Sequence, residues 1–329
     1  MTGNPDKELY EKVLSYIDNI EERIVEMYRE SHERILEKLA KYRQDAEAGL
    51  IPPAFERARL NEMLMQIEAE ANTLQTRLYG EVQTSFADIY GGTYYESAYN
   101  YERAVNQLGM NESYTLNYPS LNTQAVKASF DERVAGMTFL DRIERDAVVM
   151  RFRLQEAVSR TIIEGQTVDA LKKRLALLDD VYAMNEAKAT MTARTELLRA
   201  YSLGHEQASQ AATEAGVEFE YIWDAALDGR TRPEHRAADG KRATIIDGLP
   251  AFSVGGCLFS SPRVLHPNNQ GMKTAAQIVN CRCRRVDAPF GITPTERVAK
   301  TPGGSWKRVP YNVSAQEWYD AHYGGELPF

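Results

Sequence analysis

The stretch from Val217 to His235, VEFEYIWDAALDGRTRPEH, decides the fold class because the spacing of its apolar residues differs from that of the preceding chain. From Val217 to Trp223 apolar and polar side chains largely alternate, as in a strand with one apolar face. Before Gly216 the apolar residues recur at three- and four-residue steps, which is typical of amphipathic helices. The sequence therefore predicts a mainly α-helical chain followed by a small α+β module.

Two long segments of helical periodicity open the chain, within residues 1–110. Asn4-Pro5-Asp6 favours a helix start, and Gly49 with Pro52-Pro53 predicts its end. We expect the two helices to lie antiparallel as a long hairpin, with an interruption at Gly91-Gly92. The stripe of the first helix is Leu9, Val13, Tyr16, Ile20, Ile24, Met27, Ser31, Ile35, Leu39 and Tyr42, and that of the second is Leu60, Leu64, Ile67, Ala71, Leu74, Leu78 and Phe86.

Four tyrosines, Tyr94, Tyr95, Tyr99 and Tyr101, lie close together in a helical stretch after these glycines. The chain contains 18 tyrosines, so chance clustering is one interpretation. The alternative is a contact surface, because tyrosine combines apolar area with a polar tip.

Residues 111–216 predict a helical bundle of about four members. The helix boundaries are inferred from capping and breaking residues: Thr138 with Asp141 as a capping box, Gly165 as a helix end, Thr167 as a helix start, and a further helix from Asn185 to Ala215.

Residues 217–286 predict a compact α+β module closed by a small sheet, and residues 287–329 an extended tail. The tail shows helical periodicity only around Ser314 to Tyr323. Three β-like runs support the module: Ala243–Ile246, Val254–Phe259 and Cys281–Val286.

Composition and charge exclude several classes of protein. The 329 residues are 43% hydrophobic and 26% charged, a globular balance, with no apolar run long enough for a membrane span and a polar start unlike a signal peptide. Three cysteines do not make a disulfide framework, which favours a reducing compartment or a local cysteine site.

The net charge of −8 is unevenly distributed. Residues 1–110 hold 12 Lys and Arg against 20 Asp and Glu, whereas residues 224–285 hold 10 against 5. The basic segment is suited to an anionic partner. The alternative is that the acidic and basic segments are simply solvent-exposed faces.

Five short motifs occur in a fixed order between residues 194 and 283. They are Arg194-Thr195-Glu196, Trp223 at a strand end, Asp228-Gly229-Arg230-Thr231 with His235 and Asp239-Gly240, His266-Pro267-Asn268, and Cys281-Arg282-Cys283. This order resembles the domain of phage Mu protein F and its relatives, the minor head proteins of tailed phages. The resemblance covers about residues 125–286.

The resemblance implies a structural role without enzymatic activity. Such a protein is built in few copies into the procapsid, is associated with the portal vertex, and takes part in head morphogenesis or genome delivery. Its implied partners are the portal protein, other head proteins and, without sequence specificity, packaged DNA, but no membrane. Its implied location is the capsid interior near the portal, after assembly in the host cytoplasm.

Four residues form a candidate zinc site: His235, His266, Cys281 and Cys283, with Cys257 in reserve. On a strand, however, Cys281 and Cys283 would have Cα atoms about 6.6 Å apart, which is wide for a tetrahedral pair. The family often has a cysteine near the Asp-x-Arg-Thr stretch and an uninterrupted His-Pro-Asn-Cys-Arg-Cys run, and this chain departs from both patterns. Free cysteines packed as small apolar residues are the alternative, so no cofactor is expected apart from possible zinc.

A metal-dependent nucleic-acid hydrolase centred on His235 and His266, with Asp228, is the alternative function. The sequence after His266 favours a turn rather than the helix that such a nuclease needs. In the structural interpretation, Asp228 caps a turn at Gly229, while His235 and Asp239 hold a loop.

The remaining motif residues have structural interpretations. Glu196 should pair with Arg199 three residues later rather than with Arg194, and Trp223 should be a core aromatic. Residues suited to contact DNA or an acidic partner are Arg282, Arg284 and Arg285, together with Arg230, Arg232, Arg236, Lys241 and Arg242.

Overall fold

The computed structural model describes residues 5–48, 56–110, 113–134, 136–163, 168–270 and 274–323. Its helices are α1 (Pro5–Glu47), α2 (Glu56–Gln107), α3 (Thr123–Phe130), α4 (Phe139–Ile163), α5 (Val168–Glu214), α6 (Pro233–Ala238), α7 (Thr274–Ile278) and α8 (Ala315–Tyr323). Its strands are β1 (Phe219–Asp224), β2 (Thr244–Ile246), β3 (Leu249–Val254), β4 (Cys257–Ser261), β5 (Val264–Leu265), β6 (Arg284–Pro289), β7 (Glu296–Lys300) and β8 (Trp306–Pro310). The predicted fold class, mainly α with a small β-containing module, is confirmed.

The chain divides into two compact units. The first combines Met1–Ile17, Ser85–Phe130 and Thr195–Phe329, and the second combines Asp18–Thr84 and Asp131–Arg194. The predicted domains 1–110, 111–216, 217–286 and 287–329 are consecutive, whereas each unit is assembled from separate segments. Helices α1, α2 and α5 each contribute residues to both units.

Helices α1 and α2 pair in antiparallel fashion, as the two apolar stripes predict. In the second unit Arg23 forms an ion pair with Glu81 at 2.6 Å. Further along α1, Arg34 pairs with Glu70 at 2.7 Å, so residue numbers rise in one helix as they fall in the other. Ser31, the polar member of the α1 stripe, is buried with it.

The predicted interruption at Gly91-Gly92 is wrong, because α2 continues without a break to Gln107. A glycine inside a helix costs only about 1 kcal/mol relative to alanine. Burial of large side chains in the same turns outweighs this cost, since Tyr94 and Tyr101 are almost inaccessible to solvent. Tyr95 and Tyr99 point to solvent, so only half of the tyrosine cluster can serve as a contact surface.

The predicted bundle has fewer, longer helices than expected in the described parts of residues 111–216. The capping box is confirmed: the amide of Thr138 donates to Asp141 Oδ2 at 2.9 Å, and the amide of Asp141 donates to Thr138 Oγ1 at 3.0 Å. The two helices predicted from Thr167 and from Asn185 form a single helix, α5, inside which Asn185 is buried. Packing rather than capping therefore determines the place of Asn185, while Gly165 and Thr167 lie outside the described residues.

The predicted strand at Val217–Trp223 is confirmed as β1, which pairs with β6 from Phe219 opposite Pro289 to Asp224 opposite Arg284. Strands β2 to β5 form a separate antiparallel meander. The predicted run Val254–Phe259 is instead a hairpin, because Gly255 and Gly256 turn the chain at φ of 56° and 77°.

The prediction of an extended tail is wrong for the described residues 287–323. Strand β6 occupies its first residues, β7 and β8 form an antiparallel hairpin, and α8 follows at the predicted helical stretch. Trp318 on α8 is buried and donates to the carbonyl of Lys300 at 3.3 Å. Among the residues described, none of the helices combines the length and apolar character needed to cross a membrane.

Candidate functional site

Trp223 forms the floor of the site at the end of β1. Its indole is 1% exposed, and its ring centroid lies 5.4 Å from that of His235 and 5.5 Å from that of Phe252. The prediction of a core aromatic is confirmed. Because the edge of His235 packs against this buried ring, β1 determines where the imidazole of α6 lies.

Asp228 caps the turn after β1. Its Oδ1 accepts from the amide of Arg230 and from Thr231 Oγ1, each at 2.9 Å, while its Oδ2 accepts from Arg282 Nε at 2.7 Å. Burial alone would raise the pKa of this carboxyl, but Arg282 and the turn hydrogen bonds outweigh burial and lower it. An ionised carboxylate with these partners holds the loop, as the structural interpretation predicted.

His235, Cys281 and Cys283 converge beside Trp223. The Sγ atoms of Cys281 and Cys283 each lie 3.5 Å from His235 Nδ1, and all three residues are buried. Residues 281–283 precede β6 and are not part of a strand, so the expectation that strand geometry would separate the thiols is wrong. The irregular backbone turns both thiols to the same imidazole.

The two thiols titrate as a pair. A hydrogen bond from Cys283 and the positive charge of Arg263 hold the pKa of Cys281 well below its usual value despite burial. Burial and the neighbouring Cys281 raise the pKa of Cys283.

His266 and Cys257 do not belong to this cluster. His266 Nε2 lies 3.3 Å from the carbonyl of Ile246, and its Nδ1 accepts from the amide of Asn268 at 3.1 Å. In the part of the chain that the structure describes, the cluster of potential metal ligands contains His235, Cys281 and Cys283. The predicted four-residue set is thus reduced to three.

The same contacts count against the hydrolase alternative. Asp228, His235 and His266 each use their polar atoms on other residues of the fold, and of the three only His235 is in the described metal-ligand cluster. The geometry that a metal-dependent nuclease needs is therefore not assembled from these residues.

The arginines predicted to contact DNA or an acidic partner are turned inward, which corrects that expectation. Arg282 pairs with Asp228, Arg284 with Asp224 at 2.5 Å, and Arg285 with Asp287 at 2.6 Å. Arg284 and Arg285 are almost fully buried, because each guanidinium has a carboxylate of the same unit beside it. Outward-facing cations remain at Arg230, Lys241 and Arg242.

The Arg-Thr-Glu motif of α5 is structural. Glu196 pairs with Arg199 at 2.8 Å, as predicted from the helical spacing. Arg199 also donates to the carbonyl of Ser129 at 2.7 Å, which ties α5 to α3. Arg194 belongs to the second unit, where it pairs with Asp18 and Glu21 of α1.

Asp239 has a larger role than the sequence predicted. Its carboxylate accepts from both terminal nitrogens of Arg297 in β7, at 2.8 and 2.9 Å, and from the amide of Ala315 at 2.7 Å. It also accepts from the amide of Ala225 at 2.8 Å. Asp239 therefore joins the turn after β1 to the tail.

Sequence reasoning missed four residues that shape the site: Gly255, Arg263, Gln277 and Arg297. None is in a recognisable motif, and their partners are distant in the sequence. The basic character of residues 224–285 was a weak signal for Arg263, but the sequence interpretation assigned such cations to DNA or an acidic partner.

These features define a class of protein: a helical chain whose C-terminal half carries a small antiparallel module with a buried His-Cys-Cys cluster. The sequence model of the family described as "Phage Mu protein F like protein" matches residues 153–286 of this chain. The predicted resemblance is confirmed.

The chain is similar along nearly its full length to "Minor head protein GP7" of Bacillus phage SPP1. The two are 25% identical over 329 residues, which cover 95% of this chain and 97% of the relative.

A second relative is "NAD(+)--arginine ADP-ribosyltransferase EFV" of Enterococcus faecalis (strain ATCC 700802 / V583), 24% identical over 314 residues. The match covers 95% of this chain but 59% of that enzyme, so the chain spans only part of its length. No solved structure matches the chain significantly.

Proposed function

We propose that the chain is a minor head protein of a tailed phage, located in the virion and involved in head morphogenesis or genome delivery. The observation that carries this proposal is the match to the SPP1 minor head protein, which extends over 95% of this chain and 97% of the relative. The family match at residues 153–286 supports the same assignment from the C-terminal half.

We infer a structural rather than a catalytic role. The part shared with the ADP-ribosyltransferase is 59% of that enzyme, whereas the head protein is matched almost completely. The region that this chain shares with the enzyme therefore corresponds to nearly the full length of the head protein. The inward-facing ion pairs of Asp228 and Arg282 agree with this role, because they stabilise the module and do not face a substrate.

We further propose the portal protein as a partner and the capsid interior near the portal vertex as the location. The acidic N-terminal hairpin carries Tyr99 exposed on α2, an amphipathic side chain suited to a protein contact. Because Arg282, Arg284 and Arg285 are paired within the fold, contact with packaged DNA is left to peripheral cations such as Arg230 and Lys241.

Quantitative mass spectrometry of purified particles from the phage that encodes the chain tests the main proposal. We expect the chain in a copy number far below that of the major capsid protein. A nonsense mutation should yield particles that lack the chain and are less infectious. Absence of the chain from wild-type particles would contradict a virion role.

The portal contact has a separate test. Full-length chain and the portal protein of the same phage are co-expressed and co-purified. Tyr99→Ser should reduce the recovered portal protein, whereas Ile245→Ser, at an equally exposed position in β2, should not. Equal recovery with both variants would argue against the hairpin as the portal-binding element.

An assay with labelled NAD and an arginine-containing acceptor protein tests the structural role. We expect no transfer of label by the full-length chain, with a known arginine-specific transferase as the positive control. Transfer above background would overturn the inference of a non-enzymatic protein.

A further inference from the structure

The His235–Cys281–Cys283 cluster has the dimensions of a zinc site. Zinc binds sulfur at about 2.3 Å and histidine nitrogen at about 2.0–2.1 Å, so a tetrahedral angle places N and S about 3.6 Å apart. The observed separations of His235 Nδ1 from the two Sγ atoms are both 3.5 Å. All three ligand atoms lie within 4.8 Å of one another.

The lone pair of His235 Nδ1 can accept a hydrogen bond from only one of the two thiols. A neutral imidazole nitrogen has a single lone pair, which one S–H donor satisfies. Here two thiols, on Cys281 and Cys283, approach the same Nδ1 at the same distance. A metal ion placed between the three atoms would use the lone pairs of all of them.

Gln277 sets the orientation of the imidazole. The Nε2 of His235 and the Oε1 of Gln277 lie 2.9 Å apart, so Nε2 carries the proton and donates it, and the lone pair of Nδ1 faces the thiols. A hydrogen bond of this kind to the second ring nitrogen is a regular feature of metal-binding histidines.

Gly255 makes room for Gln277. A Cβ at position 255 would lie 2.4 Å from the side-chain amide of Gln277, and φ is 56° at this turn. The turn between β3 and β4 therefore lies directly against the side-chain amide of Gln277, which in turn orients His235.

Arg263 holds the cysteine segment. Its Nη1 donates to the carbonyl oxygens of Cys281 at 2.8 Å and Cys283 at 2.6 Å, and its Nη2 lies 2.9 Å from Ser202 Oγ on α5. This guanidinium is 2% exposed, and the ion pairs found among the described residues do not include it.

We propose that His235, Cys281 and Cys283 bind one structural Zn²⁺ ion through Nδ1 and two thiolate sulfurs, with Gln277 as the positioning residue of the histidine. The ion displaces to solvent each proton that the two thiols still carry, and the two thiolates balance the charge of the ion. Within the described residues no fourth His, Cys, Asp or Glu joins the group, so we assign three protein ligands to the ion. His266 and Cys257 lie outside the site.

The first test measures metal in the full-length protein. After purification with zinc and without chelator, elemental mass spectrometry should find about one zinc per chain. Substitution with Co²⁺ should give the sulfur-to-cobalt charge-transfer band and the intense visible bands of tetrahedral thiolate coordination. Folded protein that takes up neither metal would overturn the proposal.

Variants locate the ion. Cys281→Ser and Cys283→Ser should each abolish stoichiometric zinc, whereas Cys257→Ser is the matched control and should retain it, because Cys257 is also buried but lies outside the cluster. Retention of zinc in folded Cys281→Ser, or its loss in folded Cys257→Ser, would place the metal elsewhere.

Gln277→Ala covers the case in which the cysteine variants do not fold. Loss of the residue that accepts from the other ring nitrogen of a metal-binding histidine typically lowers metal affinity about 10–100-fold. Competition with a chromogenic chelator measures this affinity. His266→Asn should leave the affinity unchanged. Equal affinities for wild type and folded Gln277→Ala would contradict the assigned positioning role and the proposed Nδ1 ligation.

Discussion

The second compact unit and the C-terminal module of the first unit use charged residues in opposite ways. On α1, Arg29 pairs with Glu26 and Glu33 while more than half of its side chain is exposed. In the module, the side chains of Arg285 and Asp287 are 2% and 0% exposed. Exposed ion pairs contribute little to the free energy of folding because water screens them. Removal of one partner of a buried pair, in contrast, leaves an uncompensated buried charge, which is strongly destabilising.

The two regions also differ in the kind of residue that determines their fold. The hairpin is stabilised by apolar residues at helical spacing, and its ion pairs lie outside that stripe. The module has short strands, and its irregular loops are joined by charged side chains such as Asp239 and Arg297. Substitution of charged residues should therefore affect the module far more than the hairpin.

The largest effect is expected for Arg285→Met, which leaves Asp287 buried without its partner. We expect a loss of about 3–5 kcal/mol in the free energy of unfolding. Tryptophan fluorescence in urea reports this transition, because all three tryptophans, Trp223, Trp306 and Trp318, belong to the first unit. The double variant Arg285→Met/Asp287→Leu should recover most of the lost stability. If Arg285→Met alone is as stable as wild type, the buried ion pairs of the module do not differ in their contribution from the exposed pairs of α1.

A pH effect of about 3 kcal/mol is expected from His205. Burial lowers the pKa of His205 to about 4, against about 6.5 for an exposed histidine. Between these values the unfolded chain binds a proton that the folded chain does not, so stability is complete above pH 6.5 and falls as the pH drops towards 4. Urea unfolding at several pH values should show this loss in wild type and a smaller loss in His205→Gln. Identical pH profiles would contradict the assignment.

Gly204→Ala should cost about 1–3 kcal/mol by overpacking. A Cβ at position 204 on α5 would lie 2.4 Å from the carbonyl oxygen of Tyr90 on α2, and backbone has little freedom to move away. Gly92→Ala is the matched control, because a Cβ at position 92 would meet no neighbouring atom within 4 Å and alanine favours the helix. Thermal unfolding should therefore rank Gly92→Ala above wild type and Gly204→Ala below it.

The smallest effect is expected for Arg29→Gln on the exposed face of α1. We expect no measurable shift of the denaturation midpoint followed by far-UV circular dichroism, at low or at high salt. A destabilisation comparable with that of Arg285→Met would show that exposure does not separate the two classes of ion pair.

Much of the helical architecture was predictable because helix formation depends on nearby residues. The stripe containing Ile20 and Ile24 predicted the hairpin, and the capping box at Thr138 predicted the start of α4. The break expected at Gly91-Gly92 did not occur, since the local cost of glycine is smaller than the gain from burying Tyr94 and Tyr101.

The site was predictable only in part. His235, Cys281 and Cys283 were candidates from their chemistry, but so was His266, because the sequence does not show which of these residues lie close together in space. The loop of residues 281–283 is shaped by contacts from far along the chain. The amide of Asn280 donates to Thr195 Oγ1 at 2.9 Å, and Arg263 donates to both cysteine carbonyls. Sequence spacing contains no information about such contacts.

By itself, the sequence determined the helix stripes, the change to strand periodicity after Gly216, and the motifs that carry the family resemblance, because each stripe, strand and motif depends on residues close together along the chain. Only the tertiary structure decided that Arg284 and Arg285 face carboxylates rather than a partner, and that two thiols meet one imidazole. The physical reason is that burial and charge pairing depend on distances in space, which the folded backbone sets across many tens of residues.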